Sequence, residues 1–152
     1  MTKPSQLKTF LWFDGGLAEA LGFYQATFVD VVVHNRNVGP DGQLFTADFS
    51  IFGHEFIGMN AAGGPKFNDS ISLSINCDGQ AEVDRLWEAI TAEGKPGQCG
   101  WCVDKWGLSW QVSPYQMRDY LGNSDPVKQQ YAWKALRAMT KIQLSDFEAP
   151  NN

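Results

Sequence analysis

The chain carries an internal duplication, and this feature constrains its fold more than any other. The run Asp14-Gly-Gly-Leu-Ala-Glu recurs as Asp78-Gly-Gln-Ala-Glu with one residue dropped. The strand-like segments that precede these two runs superpose with an offset of 64 residues. Because a repeat of this size marks one supersecondary unit per copy, it outweighs the local assignment of any single element.

The apolar spacing gives both copies the same order: a strand, a helix, then two or three strands. Residues 7–13 predict a buried strand, and alternation over 71–77 predicts its counterpart. The helical faces predicted after them comprise Leu17, Leu21, Tyr24 and Phe28 in the first copy and Val83, Leu86, Trp87 and Ile90 in the second. Further strands are predicted at 29–36, 45–51, 55–60, 98–104 and 108–113. Asp14 is the predicted N-cap of the first helix, and Gly94 the glycine just past the end of the second.

The repeat covers about residues 7–62 and 70–114, and a helical segment follows at about 115–148. Asp125-Pro126 predicts the start of a last helix, with the aspartate as N-cap and the proline in the first turn. A length of 152 residues suits one domain. The sequence therefore predicts an α+β fold in a single domain, 1–152. Two βαβββ modules form a curved mixed sheet around a concave pocket, with an added C-terminal helix.

Side-chain alternation predicts which residues line that pocket. If Ile71, Leu73 and Ile75 pack under the helix, the polar residues between them face the other way. A sheet face with a few polar anchors and aromatic neighbours suits a ligand pocket, although a plain solvent-facing sheet is the alternative. Alternation gives Trp12, Asp48, Ser72, Ser74, Asn76 and Gln111 as predicted pocket residues, and Asn60 and Cys99 are further pocket candidates that alternation does not supply. The same parity assigns Trp110 to the core. A solvated aspartate at position 48 and structural amides at 60 and 111 remain open alternatives.

Composition excludes several classes of partner. The net charge of −5 and the absence of basic runs argue against nucleic acid. No apolar run approaches the ~20 residues that span a bilayer, so no membrane partner is expected. The N-terminal residues lack a signal-type apolar stretch, and three cysteines are an odd number for a secreted disulfide framework. We therefore expect a cytoplasmic protein.

Several linked motifs point to one family. They are Leu11-Trp-Phe-Asp-Gly15, Met59-Asn60 with Gly63-Gly-Pro65, and Cys99-Gly-Trp101 followed by Gly107-Leu-Ser-Trp-Gln-Val112. In this order they resemble the PhnB-like subgroup of the glyoxalase/bleomycin-resistance (vicinal oxygen chelate) superfamily, over about residues 7–142. Members often carry the label "3-demethylubiquinone-9 3-methyltransferase". The resemblance implies a paired βαβββ fold and a homodimer, with the last helix, including Tyr131 and Trp133, as a candidate interface element.

The superfamily's enzymes usually hold a divalent metal through His, Gln and Glu side chains on four strands. The matching neighbourhoods here offer Thr9, Asn60, Ser72 or Ser74, and Gln111. These are neutral donors, whereas catalytic divalent ions are held by several nitrogen or anionic oxygen ligands. We therefore expect no cofactor, and a divalent metal is the less favoured alternative. His34, in a strand, and His54, in a turn, do not supply the missing ligands.

Two further chemistries find little support in the sequence. A Rossmann-type methyltransferase needs a glycine-rich strand-to-helix turn, and Asp14-Gly-Gly lacks the third glycine and recurs as a repeated cap. Cys99-Gly-Trp-Cys102 imitates a redox pair, but in an extended segment residues three apart face opposite sides. A single reactive thiol at Cys99 remains open.

The sequence thus predicts a small-molecule binding protein or a non-standard enzyme that lacks the usual metal ligands, with an unknown small molecule as partner. One alternative is a metal-dependent lyase, isomerase or dioxygenase with atypical ligands. The other is a sequestering protein of the bleomycin-resistance type. Whether the chain is an enzyme stays open.

Overall fold

A computed structural model of the chain describes residues 1–150. The chain divides into two compact units, Met1–Lys66 and Phe67–Asn152, and each unit contains one copy of the repeat. Each unit has its own four-stranded sheet. The expected fold class, α+β with two βαβββ modules and an added C-terminal helix, is confirmed.

In the first unit, one helix packs on one face of a mixed sheet. Its elements are β1 (Thr9–Phe13), α1 (Leu17–Thr27), β2 (Val31–Val38), β3 (Leu44–Ile51) and β4 (His54–Asn60). The strand order is β1-β4-β3-β2, with β1 parallel to β4 and the other neighbours antiparallel.

The helical face predicted for the first copy is the buried face of α1. All four predicted residues are at most 3% exposed. They pack against strand residues of the same parity, including Phe13 and Phe49. At Gly58 a side chain is excluded, because a Cβ there would lie 2.6 Å from Leu17 Cδ1. The glycine therefore lets α1 lie close to β4.

Asp14 was expected to cap α1, and this expectation is wrong. The N-cap is Gly16, and no side chain caps the helix there. Gly15 and Gly16 both have positive φ, 86° and 84°, so the chain makes an extra turn before the helix begins. The Asp14 carboxylate instead accepts a hydrogen bond from the backbone N–H of Gly63 at 2.6 Å.

The second unit repeats the topology. Its elements are β5 (Ser72–Cys77), α2 (Gln80–Thr91), β6 (Lys95–Pro96), β7 (Trp101–Val103) and β8 (Ser109–Pro114). The strand order is β5-β8-β7-β6, with β5 parallel to β8. Trp110 is 2% exposed and Val112 fully buried, so the predicted core parity of β8 is confirmed.

The strand predicted at 98–104 is shorter in the structure, and β6 was not predicted. The segment 98–104 contributes only β7, and Gly97 and Gly100 lie in the loop before it. Gly94 is not the first residue past α2, because the C-cap is Ala92. A Cβ at Gly94 would lie 1.9 Å from the carbonyl oxygen of Val103, so this glycine is needed where the backbones touch.

The C-terminal segment adds α3 (Met117–Leu121), α4 (Pro126–Ala138) and a 3-10 helix at Leu144–Phe147. The predicted start of α4 is confirmed, since Asp125 accepts from the backbone N–H of Val127 at 2.9 Å and Pro126 stands in the first turn. Among residues 1–150, no helix is both long and apolar enough to cross a membrane.

Candidate functional site

In the second unit, the face of the sheet opposite α2 carries a row of polar side chains. The register places Ser74 beside Gln111, and Gln111 beside Trp101. The side-chain amide of Gln111 donates to Ser72 Oγ at 2.9 Å. Asn76 lies further along the same face and is exposed. Four predicted residues (Ser72, Ser74, Asn76 and Gln111) therefore share one face of one sheet.

A cavity of about 370 Å³ opens beside this row. It is lined by Asp69, Gly97, Gln98, Cys99, Trp101, Cys102 and Val103. At its edge the hydroxyl of Ser109, which is fully buried, donates to the Asp69 carboxylate at 2.5 Å. Trp101 is half-buried and forms both a wall of the cavity and the end of the polar row.

Trp101 and Asp69 were not among the residues predicted for the pocket. Alternation along 98–113 was a signal that could have identified Trp101, because it has the same parity as Cys99 and Gln111, and the register pairs it with Gln111. Asp69 lies outside any strand, so alternation does not apply to it. Its role follows only from the return of the loop before β5.

Cys99 is the more accessible of the two cysteines that line this cavity. Its backbone is in the left-handed region, with φ 58°, and its N–H donates to the carbonyl of Met139 at 2.9 Å. Its side chain is half-buried, while Cys77 and Cys102 are buried, and all three are free thiols. Burial raises the pKa of Cys77 to about 11 and that of Cys102 to about 12, and the nearby carboxylates Glu82 and Asp104 add to these shifts. Cys99 is thus the accessible thiol of the three.

In the first unit, Trp12 lies on the face of the sheet opposite α1. Its indole N–H donates to the carbonyl of Ala61 at 2.8 Å. The loop after β4 packs against the ring so closely that a Cβ at Gly64 would lie 2.4 Å from it. Trp12 is still 38% exposed, and its neighbour on the same face, Phe10, is 53% exposed. The ring is therefore held in place with one surface open.

Asp48 lies on the same face as Trp12 and forms an ion pair. Its carboxylate is 3.3 Å from Lys8 Nζ, and both side chains are about one-quarter exposed. The ion pair holds the Asp48 carboxylate in a fixed position on this face.

Asn60 lies on the other face of the first sheet. It pairs with Phe13, whose side chain is in the core, while its neighbour Met59 pairs with Trp12. The structure therefore groups Trp12 with Asp48, and Ser72, Ser74 and Asn76 with Gln111 and Cys99. It separates Asn60 from Trp12.

The donors available for a metal are poor. Within the described residues 1–150, no group of three or more His, Cys, Asp or Glu side chains could hold an ion. His34 Nε2 contacts the Glu55 carboxylate at 3.4 Å, and His54 Nε2 lies 2.9 Å from Thr9 Oγ1. The neutral hydroxyl and amide groups at the family's ligand positions do not fit a divalent ion, and we derive no chemistry through one.

Comparison with protein families gives one match. The family model described as "3-demethylubiquinone-9 3-methyltransferase" matches residues 5–113. This range includes the first copy of the repeat and the second copy up to Ser113 in β8. No curated protein sequence matches the chain.

Several solved structures also resemble the chain. A putative 3-demethylubiquinone-9 3-methyltransferase (PhnB protein) from Bacillus cereus is 24% identical, with a TM-score of 0.67. The match covers 72% of this chain and 99% of that one. Protein PA1353 from Pseudomonas aeruginosa is 19% identical, covering 73% and 98%, with a TM-score of 0.58. FosX from Listeria monocytogenes, a fosfomycin resistance protein crystallised with Mn(II) and sulfate, is 16% identical, covering 73% and 92%, with a TM-score of 0.56. At these identities the likeness shows a shared fold.

Proposed function

The chain belongs to the 3-demethylubiquinone-9 3-methyltransferase (PhnB-like) family of the vicinal oxygen chelate superfamily, and we propose that it binds a small, largely planar organic molecule without a metal. The observation that carries the proposal is the cavity beside the polar row of the second sheet. Its volume of about 370 Å³ falls in the range of small-molecule sites. Trp101 lines it, its lining is largely apolar, and the polar row lies next to it across the pairing of Trp101 with Gln111.

The side chains suggest the chemistry of the ligand. The amide of Gln111 donates to Ser72 and keeps its oxygen and one N–H for other partners. A neutral amide and hydroxyl groups suit a carbonyl or amide ligand better than an ion. The indole of Trp101 offers a flat apolar surface on which an aromatic ring can stack. We therefore propose an aromatic carbonyl compound as the ligand class.

The test is binding of benzamide, followed by chemical-shift changes in a two-dimensional NMR spectrum. We expect saturable shifts at the side-chain amide of Gln111 and the backbone amide of Trp101. Gln111→Leu should weaken binding about tenfold, the effect of one lost hydrogen bond. Gln25→Leu, at an exposed position on α1, is the matched control and should bind normally. Shifts that never saturate, or equal binding by Gln111→Leu, would refute the proposal.

A metal-dependent enzyme is the first competing function. It is favoured by the fold shared with FosX, whose crystals contain Mn(II). The neutral donors of this chain argue for weak binding. Protein purified without chelator should therefore contain well under one equivalent of metal by elemental analysis. A stoichiometric ion would replace the metal-free proposal with a lyase, isomerase or dioxygenase.

Sequestration of a planar ligand, as in bleomycin resistance, is the second competing function. It is favoured by the exposed aromatic rings of Phe10 and Trp12 on the first sheet. Sequestration differs from the metal-dependent enzyme in the fate of the ligand, because a sequestering protein releases it unchanged and an enzyme converts it. Methyl transfer is not proposed, because neither sheet is the parallel, doubly wound type that binds the nucleoside cofactor in Rossmann enzymes.

A further inference from the structure

The cavity beside the polar row of the second unit contains a charge that the aromatic carbonyl ligand proposed above leaves unused. That charge is the carboxylate of Asp69. Among the described residues 1–150, no basic side chain lines the cavity, and Asp69 forms no ion pair. An uncompensated negative charge therefore stands at one side of a largely apolar cavity.

The position of this carboxylate is fixed. The hydroxyl of Ser109, which is fully buried, donates to Asp69 Oδ1 at 2.5 Å. The loop around it is tightened by Asn68, whose side-chain oxygen accepts from the backbone N–H of Ser70 at 2.9 Å. Asp69 itself is exposed, so that its second oxygen, Oδ2, is open to a ligand in the cavity. The carboxylate is thus an accessible acceptor that is attached to the sheet.

The register of β7 on β8 sets the distance between this carboxylate and the polar row. Trp101 lies opposite Gln111, and Val103 lies opposite Ser109. Residues directly opposite each other on antiparallel strands have their side chains on the same face. Because two residues of a strand span about 7 Å, Ser109 and Gln111 anchor the two polar groups about that far apart. Between them lie the side chains of Trp101 and Val103, which both line the cavity.

We propose that the ligand of this cavity is an aromatic carbonyl compound that also carries a primary ammonium group. The inference rests on the proposed function and adds one charge to the ligand. The carbonyl accepts from Gln111, the ring packs on Trp101, and the ammonium donates to Asp69 Oδ2. A benzene ring with the two groups in para positions separates them by a similar length. The net charge of −5 also favours a cation over an anion.

The test compares benzamide, 4-(aminomethyl)benzamide and the neutral 4-(hydroxymethyl)benzamide by the NMR shifts of the Trp101 backbone amide at low salt. The ammonium compound should bind about fivefold more tightly than the hydroxymethyl compound. Added salt should reduce this difference, because it screens a charge pair near the surface. Saturable binding of benzamide with equal affinities of the two substituted compounds would overturn this inference and leave the proposed function intact. If none of the three compounds binds, both fail.

A charge-removing variant identifies the partner of the ammonium. Asp69→Asn keeps an oxygen that accepts from Ser109, so it should lose most of the preference for the ammonium compound and bind the hydroxymethyl compound normally. Asp119→Asn, exposed on α3, makes the same change of charge outside the cavity and should keep the preference. A full preference in Asp69→Asn would refute the assignment.

An anionic probe tests the same charge without a substitution, should Asp69→Asn fail to fold. The anion 4-carbamoylbenzoate should bind the parent chain more weakly than 4-(hydroxymethyl)benzamide, because its carboxylate would face that of Asp69. Binding of the anion as tight as that of the ammonium compound would refute the proposal.

Discussion

Asp104 is a buried carboxylate that organises the loop between β7 and β8. It is 2% exposed. One oxygen accepts from the backbone N–H groups of Trp106 and Leu108, and the other accepts from the indole N–H of Trp110 at 2.9 Å. This single side chain therefore fixes the register of β8, which carries Gln111.

Replacing Asp104 by Asn should lower the free energy of unfolding by about 2–3 kcal/mol. The new NH2 group would face an N–H donor wherever it points, since all three partners donate. Denaturant unfolding measures the change. Asp30→Asn, at an exposed position, should stay within about 0.5 kcal/mol of the parent. Equal stability of the two variants would contradict this role for Asp104.

The buried thiols predict how stability responds to alkaline pH. Their pKa values, about 11 for Cys77 and about 12 for Cys102, lie above the ordinary value of 9.0. Between pH 9 and the raised pKa of each thiol, the unfolded chain loses the thiol proton and the folded chain retains it. The free energy of unfolding is therefore unaffected below about pH 9 and falls as the pH rises from there towards 11 and 12. The slope is at most about 1.4 kcal/mol per pH unit for each thiol.

Cys102→Ala should remove part of this slope in urea unfolding curves recorded between pH 8 and 10.5. Val127→Ala, at an exposed position and with no ionisable side chain before or after the change, is the control and should leave the slope as in the parent chain. Other groups that titrate in this range contribute equally to all three proteins. A slope unchanged by Cys102→Ala would show that the thiol ionises as readily in the folded chain as in the unfolded one.

At the scale of elements, hydrophobic periodicity predicted the faces of helices and strands that pack in the core, and it missed the features that depend on loops. The helical faces and the parity of β5 and β8 follow from burial, which leaves a direct mark on apolar spacing. Asn60 was placed with Trp12 by the family resemblance and not by alternation, and it has the parity of the buried Phe56 on the same strand. The predicted N-cap at Asp14 was wrong because the two glycines that follow it delay the start of the helix. The predicted helix-end glycine at Gly94 was wrong because a close contact with the backbone of Val103, and not the end of the helix, requires glycine there.

The C-terminal segment is part of the second unit's core, although it lies outside the repeat. Gln80 on α2 donates to the carbonyl of Ile142 and accepts from the N–H of Leu144, both at 2.8 Å. Lys141 pairs with Asp84 at 2.7 Å. The carbonyls of Met139 and Thr140 accept from the N–H groups of Cys99 and Gly100. The segment thus holds the loop that forms one side of the cavity.

Ile142→Ala should therefore act on both stability and the cavity. The side chain is fully buried against Gly100, so its loss should cost about 2–4 kcal/mol. A looser loop should also make Cys99 react faster with a thiol reagent under native conditions. Val127→Ala, at a position 74% exposed, is the control and should change neither quantity. Loss of stability without faster labelling would mean that the loop is held by other contacts.

At the scale of the whole molecule, the two copies have kept one topology and diverged in detail. The first unit has two strands of eight residues where the second has strands of two and three. The shortened strands open the cavity beside Trp101, and the C-terminal segment stabilises the loop that replaces them. The repeat alone could predict the shared topology. It could not predict the cavity, which arises where the copies differ.

We propose that the chain forms a homodimer through α4. Trp133 is 43% exposed on this helix, and large aromatic side chains are typical of interface centres. Tyr131, 36% exposed, points to another side of the helix because it is two residues away. Sedimentation equilibrium should give twice the monomer mass of 16.9 kDa. Trp133→Glu should shift the equilibrium towards the monomer, because a carboxylate would be buried without a partner.

Leu7→Glu, at a position 95% exposed, is the control for the added charge and should remain dimeric. If dissociation also abolishes benzamide binding, the ligand site depends on the partner chain. If the monomer still binds, one chain is sufficient for the ligand site. A monomeric parent chain at all concentrations, or a dimer that Trp133→Glu leaves intact, would remove α4 as the interface.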